Sequence, residues 1–229
     1  MEELKQKAAE KACEHVKDGM ILGLGTGTTV KYAIRKIGEL VKGGLKVKGI
    51  PTSAETEELA KKERIPLTNF EENSRIDLTI DGADEVDPEL NLIKGRGGAL
   101  TREKIVAFNS KREIIVVDET KVVGVLGKAP LPVEVVPLGA SPIKRELEKL
   151  GAEVSLRTKN GKEFFTDNGN YILDCKFNEI KNAKNLETKI NSIPGVVENG
   201  LFINLADKAI VGTSEGIKIL EGKKSLNKK

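Results

Sequence analysis

The sequence predicts an α/β fold, a parallel sheet covered by helices on both faces with a smaller ferredoxin-like α+β unit inserted into it. Three observations carry that expectation. Short apolar runs alternate with helix-periodic segments through residues 1–129, the order then changes to β-α-β-β-α-β over 130–203, and strand-like segments return within 204–229. The larger domain is therefore expected to comprise 1–129 and 204–229, and the small unit 130–203.

Each element follows from its local pattern. Leu4 to Val16 has helical periodicity, and Met20 to Gly25 is a short apolar run ending in glycines, read as a buried strand entering a turn. A helix is expected from Thr28, a strand over Lys46 to Ile50, a helix over Ala54 to Glu63 and a strand over Ile76 to Ile80. The alternation continues with a helix over Thr101 to Asn109 and a strand over Glu113 to Val117. In the insertion the strands are Val133 to Val136, Glu153 to Leu156, Tyr171 to Cys175 and Val196 to Phe202, and the helices are Ile143 to Leu150 and Leu186 to Ile193. Pro130, Pro132 and Pro137 punctuate its entry, while Lys208 to Gly212 and Glu215 to Leu220 return the chain to the first sheet.

Composition bounds the function. Among 229 residues, 38 Lys and Arg face 35 Asp and Glu, a net charge of +3 with the two signs interleaved, so nucleic acid is not an expected partner. The lysine-rich ends, Lys5 to Lys11 and Lys223 to Lys229, read as solvated surface. Cys13 and Cys175 stand far apart with no metal or redox spacing, which fits a reducing compartment. The N-terminal residues lack a signal-peptide pattern, and no run approaches the roughly 20 apolar residues that span a bilayer, so a cytoplasmic, membrane-free protein is expected.

Three segments can carry chemistry. Gly23 to Thr29, GLGTGTT, lies between a strand and a helix; glycines there let backbone amides converge, and the helix N-terminus and threonine hydroxyls favour a phosphate. The segment lacks the lysine of a P-loop, and a dinucleotide fingerprint would need glycine at Thr28. A glycine turn that only closes a βα unit is the competing interpretation. Asp81 to Asp87, DGADEVD, follows a strand at the sheet edge where open α/β folds bind ligands, and its acidic spacing is not that of an EF-hand. Lys94 to Glu103, KGRGGALTRE, sets a lysine and flexible backbone before a helix whose first turn holds a glutamate; Glu103 alone can be explained by the helix dipole.

Together, Asp81, Lys94 and Glu103 supply what is needed to open a sugar ring, stabilise an enediolate and move a carbon-bound proton. The sole histidine, His15, falls in the N-terminal helix away from these loops, so the base is expected to be a carboxylate. With neither a histidine nor a cysteine cluster, no metal and no cofactor are expected, and no Ser-His-Asp set is evident.

These segments, followed in order by VVDETK and PLPVEVVP, closely resemble type A ribose-5-phosphate isomerases over Lys5 to about Leu220. The resemblance implies a Rossmann-like catalytic domain, a ferredoxin-like insertion used in subunit contacts, and a homodimer or homotetramer. It implies interconversion of ribose 5-phosphate and ribulose 5-phosphate, in the non-oxidative pentose phosphate pathway. Glu103 matches the general base that moves the proton between C2 and C1. Asp81 matches the acid/base group of ring opening, Asp84 lies beside it, and Lys94 matches the cation near the enediolate. Thr26, Gly27, Thr28, Thr29, Lys121 and Lys5 match phosphate and substrate contacts, and Gly82, Ala83, Gly95, Arg96 and Gly97 fall within the matching substrate loops. The family often has Ser where Thr28 stands and Gly where Arg96 stands. An amino-sugar phosphate isomerase-deaminase would be expected to recruit a histidine, and a non-catalytic sugar-phosphate sensor would have little need of all three charged groups.

Overall fold

The computed structural model describes residues 1–222, so the Lys223 to Lys229 segment lies outside the described residues. No helix among them is long and apolar enough to cross a membrane.

The main sheet is assembled from α1 (Glu2–Cys13), β1 (Ile21–Leu24), α2 (Val30–Lys42), β2 (Lys48–Pro51), α3 (Ala54–Lys62), β3 (Leu78–Asp81), then a hairpin of β4 (Glu85–Val86) and β5 (Leu92–Ile93), α4 (Leu100–Phe108) and β6 (Glu113–Asp118). Strand β6 reads EIIVVD and is buried at every position, as a central strand covered on both faces must be. Its alternate residues divide the core. Ile114 and Val116 join Leu22, Leu24 and Ile80 beneath α1 and α2, whereas Ile115 and Val117 join Val86, Leu92 and Phe202 on the other side. Helix α2 turns Val30, Ala33, Ile34 and Ile37 inward at helical spacing. Helix α3 starts at Ser53, whose hydroxyl accepts from the Thr56 amide at 3.1 Å.

The insertion contains β7 (Leu131–Val135), α5 (Ala140–Lys149), β8 (Glu153–Leu156), a short hairpin of β9 (Thr158–Lys159) and β10 (Lys162–Glu163), β11 (Tyr171–Lys176), α6 (Ala183–Asn191) and β12 (Val196–Asn199). Its four strands pair antiparallel in the order β12-β7-β11-β8, the ferredoxin-like arrangement. The chain returns through β13 (Leu201–Phe202), β14 (Lys208–Thr213) and β15 (Gly216–Glu221). The six-stranded sheet then runs β15-β14-β6-β3-β1-β2, parallel except for the β14–β15 pair.

Two departures from expectation concern how the units join. The expected strand over Val196 to Phe202 breaks at Gly200, and β13 leaves the small sheet to pair with β5, giving a separate β13-β5-β4 sheet. Gly200 lies against the Lys94 carbonyl, where a Cβ would sit 2.3 Å from the oxygen, and its own carbonyl accepts from the Lys94 amide at 2.9 Å. The acidic segment also forms structure of its own, since Glu85 and Val86 pair with Ile93 and Leu92. This small sheet and α4 cover the second face of the main sheet. Smaller shifts affect the element ends: β7 starts at Leu131, and α6 starts at Ala183 after Asn182, whose side chain accepts from the Asn185 amide.

Candidate active site

The three segments able to carry chemistry meet at the carboxyl edge of the parallel strands. The glycine loop leaves β1 and enters α2 at Thr29, with Gly27 at φ +127°, a backbone state that glycine adopts without strain. Gly25 is required for a different reason. A Cβ there would lie 2.2 Å from Asp81 Oδ1, so the absent side chain lets the loop close over the carboxylate. The Thr26 amide then donates to Asp81 Oδ1 at 3.1 Å and the Gly82 amide to the same oxygen at 2.7 Å. The Thr26 hydroxyl faces Thr52 at 2.7 Å, Ser53 at 2.8 Å and Thr56 at 3.2 Å, which fastens the loop to the start of α3.

Beyond Asp81 runs a chain of alternating charge. Lys94, at the end of β5, holds its Nζ 3.1 Å from Asp81 Oδ2 and 3.3 Å from Glu103 Oε2, and donates to the Gly82 carbonyl. All three side chains are buried, and Phe202 lies under Lys94 with its ring centre 5.3 Å from Nζ. Burial strongly opposes the charge on Lys94, yet the charges of Asp81, Glu103 and Glu113 outweigh it and raise its pKa, so the ammonium persists. Glu103 is pushed up to about 8, chiefly by burial and with help from the charges of Asp81 and Asp84, against the opposing pull of Lys94. Burial raises Asp81 as well, against the opposing pull of Lys94. Asp84 joins two loops by accepting from the Arg96 amide at 2.9 Å.

These groups border a cavity of about 450 Å³. Its lining includes Lys5, Thr26, Gly27, Thr28, Thr29 and Lys121, together with Gly82, Ala83, Asp84, Lys94, Gly95, Arg96, Gly97 and Glu103. Asp81 is not on the wall: it stands fully buried behind Lys94. The cavity also includes Lys31, Glu55, Asp118 and Thr120, which sequence reasoning missed. Asp118 had a usable signal, being an acid at the carboxyl end of a buried strand just as Asp81 is; its carboxylate is turned onto the Thr120 amide at 3.0 Å and hydroxyl. Lys31 pairs with Glu55 at 2.6 Å across α2 and α3, a contact no local pattern announces. Among the described residues, no group of three or more His, Cys, Asp or Glu is arranged to hold a metal ion.

A buried carboxyl of raised pKa beside a fixed ammonium suits the movement of a proton from carbon, and the polar, cation-bordered cavity suits a small anionic substrate. Fold and site together define an α/β isomerase that works by acid–base chemistry. The chain belongs to the ribose 5-phosphate isomerase A (phosphoriboisomerase A) family, whose model matches residues 48–216. Ribose-5-phosphate isomerase A of Bacillus mycoides is 52% identical to it over 219 residues, covering 95% of this chain and 99% of that one. The solved structure of ribose 5-phosphate isomerase A from Methanocaldococcus jannaschii superposes with a TM-score of 0.92 at 47% identity, covering 96% of this chain and 99% of that one. A D-ribose-5-phosphate isomerase in complex with phospho-erythronic acid superposes with a TM-score of 0.93 at 45% identity, covering 96% and 98%.

Proposed function

We propose that this chain interconverts D-ribose 5-phosphate and D-ribulose 5-phosphate through an enediolate, and that Glu103 is the base that carries the proton between C2 and C1. The observation that carries the assignment of roles is the buried Asp81–Lys94–Glu103 chain opening onto the cavity. A carbon acid next to a carbonyl is too weak for a lone carboxylate, so the developing oxyanion needs a charge held in advance, and Lys94 supplies it. Asp81, one contact behind, sets the direction of the ammonium, and its part in ring opening passes through Lys94. Asp84, on the cavity lining beside Gly82 and Ala83, is assigned to the sugar oxygens. The amides of Gly27, Thr28 and Thr29, with Lys5 and Lys121, receive the phosphate, whose grip orients the reacting carbons. The phospho-erythronic acid bound to a solved relative, itself a phosphorylated sugar acid, supports that class of ligand.

Purified protein given ribose 5-phosphate should form ribulose 5-phosphate in a coupled assay. Absence of product from folded protein would rule out the assignment.

Residues 130–203 are proposed as a distinct domain used in subunit contacts, within a homodimer or homotetramer in the cytoplasm. Exposed apolar side chains support this, with Leu138 at 95% and Val136, Phe165 and Val197 all on that unit.

A further inference from the structure

Arg157 lies in the small unit between β8 and β9, outside the cavity described above, with only 14% of its side chain exposed. Its guanidinium acts in two directions. Nε and Nη2 engage both carboxylate oxygens of Asp174 on β11, the Nε bond measuring 2.9 Å. Nη1 donates to the carbonyls of Gly95 at 2.9 Å and Arg96 at 3.0 Å. Those carbonyls belong to the loop that leaves Lys94. One backbone bond closes the loop on itself, from the Gly98 amide to the Gly95 carbonyl at 3.0 Å, and Asp84 accepts from the Arg96 amide, but Gly95 and Gly98 have φ of +103° and +84°, and glycines there leave the backbone many alternatives unless it is restrained further. Phe164 closes the other side, packing on Gly98, where a Cβ would come within 2.5 Å of the ring, and lying 5.9 Å from the Arg157 guanidinium.

The same unit reaches the far end of the catalytic segment. Glu134 on β7 is fully buried and accepts from the Thr101 hydroxyl at 2.6 Å, two residues before Glu103; Thr166, Asn168 and Asn170 donate to its second oxygen. Both ends of Lys94 to Glu103 are thus held by side chains of the insertion.

We propose that Arg157, oriented by Asp174, is a positioning residue for the isomerisation: it holds the loop after Lys94 so that the ammonium stays between Asp81 and Glu103. The insertion is thereby part of the catalytic apparatus as well as an assembly surface. The proposal rests on the roles given to Lys94 and Glu103 above. A bidentate guanidinium can serve a carboxylate and two carbonyls at once through its planar fork, which an ammonium cannot.

The test compares Arg157→Lys with Arg145→Lys, a change on exposed α5 surface, by steady-state kinetics and by hydrogen exchange followed by mass spectrometry. Loss of about an ångström of positioning costs on the order of a hundredfold, so Arg157→Lys should lower kcat at least about tenfold with KM changed less than about threefold. Amides of 94–103 should exchange faster while those of β6 keep their protection, and Arg145→Lys should change neither. Guanidinium added to Arg157→Ala should restore part of kcat. Should Arg157→Lys fail to fold, Asp174→Asn, which preserves volume but frees the guanidinium, should show the same kinetic and exchange pattern. Unchanged kcat and unchanged exchange at 94–103 would overturn the proposal, as would a loss of protection spread equally over β6. If the wild-type protein does not turn over ribose 5-phosphate, the assigned reaction fails, and the exchange data alone decide whether Arg157 holds the loop.

Discussion

At the scale of single residues, the proposed chemistry centres on Glu103. Replacement by Gln preserves size and hydrogen bonding but removes the group able to accept a proton from carbon. General base catalysis contributes about a hundredfold to ten-thousandfold, so kcat should fall by at least the lower figure while ribose 5-phosphate still binds. Exchange of the C2 proton into deuterated solvent, followed by NMR, should cease with it; exchange at the wild-type rate would place the base elsewhere. The pH dependence has a definite sign. Glu103 is raised to about 8, chiefly by burial, and only its deprotonated form is a base, so kcat/KM should fall as pH drops through that region. The Asp84 charge contributes to that elevation, so Asp84→Asn should move the acid limb to lower pH. A limb that stays near 4.5 in the wild type would mean that the group is exposed to water in the working enzyme. By contrast, Thr29→Ala or Lys121→Ala removes a contact shared by ground and transition states and should mainly raise KM. Turnover lost at unchanged KM would refute the phosphate cradle.

At the scale of elements, legibility followed periodicity. The parallel strands were evident because β1, β3 and β6 are short runs of apolar residues before glycine or acid, and covering both faces of a strand demands that composition. The hairpin of β4 and β5 was not, since two-residue strands contain no period and their partner β13 lies more than a hundred residues away. The glycine loop, the acidic segment and the lysine loop were each visible, but their meeting depends on packing: nothing local says that Thr26 gives its hydroxyl to α3, or that Asp81 sits behind Lys94 and not on the wall. Ser53 illustrates an element with two duties, as it caps α3 and receives the Thr26 hydroxyl. Ser53→Ala should cost about 1 kcal/mol of stability by loss of the cap, read from denaturant midpoints. It should also raise KM as the glycine loop loosens, whereas a stability loss at unchanged KM would show that the loop is held without it.

At the scale of the whole molecule, the acids of the site are already occupied. Asp81 is held by amides and Lys94, Glu103 by Lys94, and Asp84 by the Arg96 amide. Activity should therefore survive exhaustive EDTA treatment, and a loss restored specifically by magnesium or zinc would overturn the mechanism. The crossing at Gly200 has a consequence for the order in which the molecule comes into being. Lys94 emerges from the ribosome early, but β13, which pairs with its strand and brings Phe202 beneath its ammonium, is made only after the whole insertion. A nascent chain that stops short of Phe202 carries Asp81, Lys94 and Glu103 and still lacks the ring beneath the ammonium. Synthesis thus leaves the surroundings of Lys94 unfinished until residues 131–199 have been made.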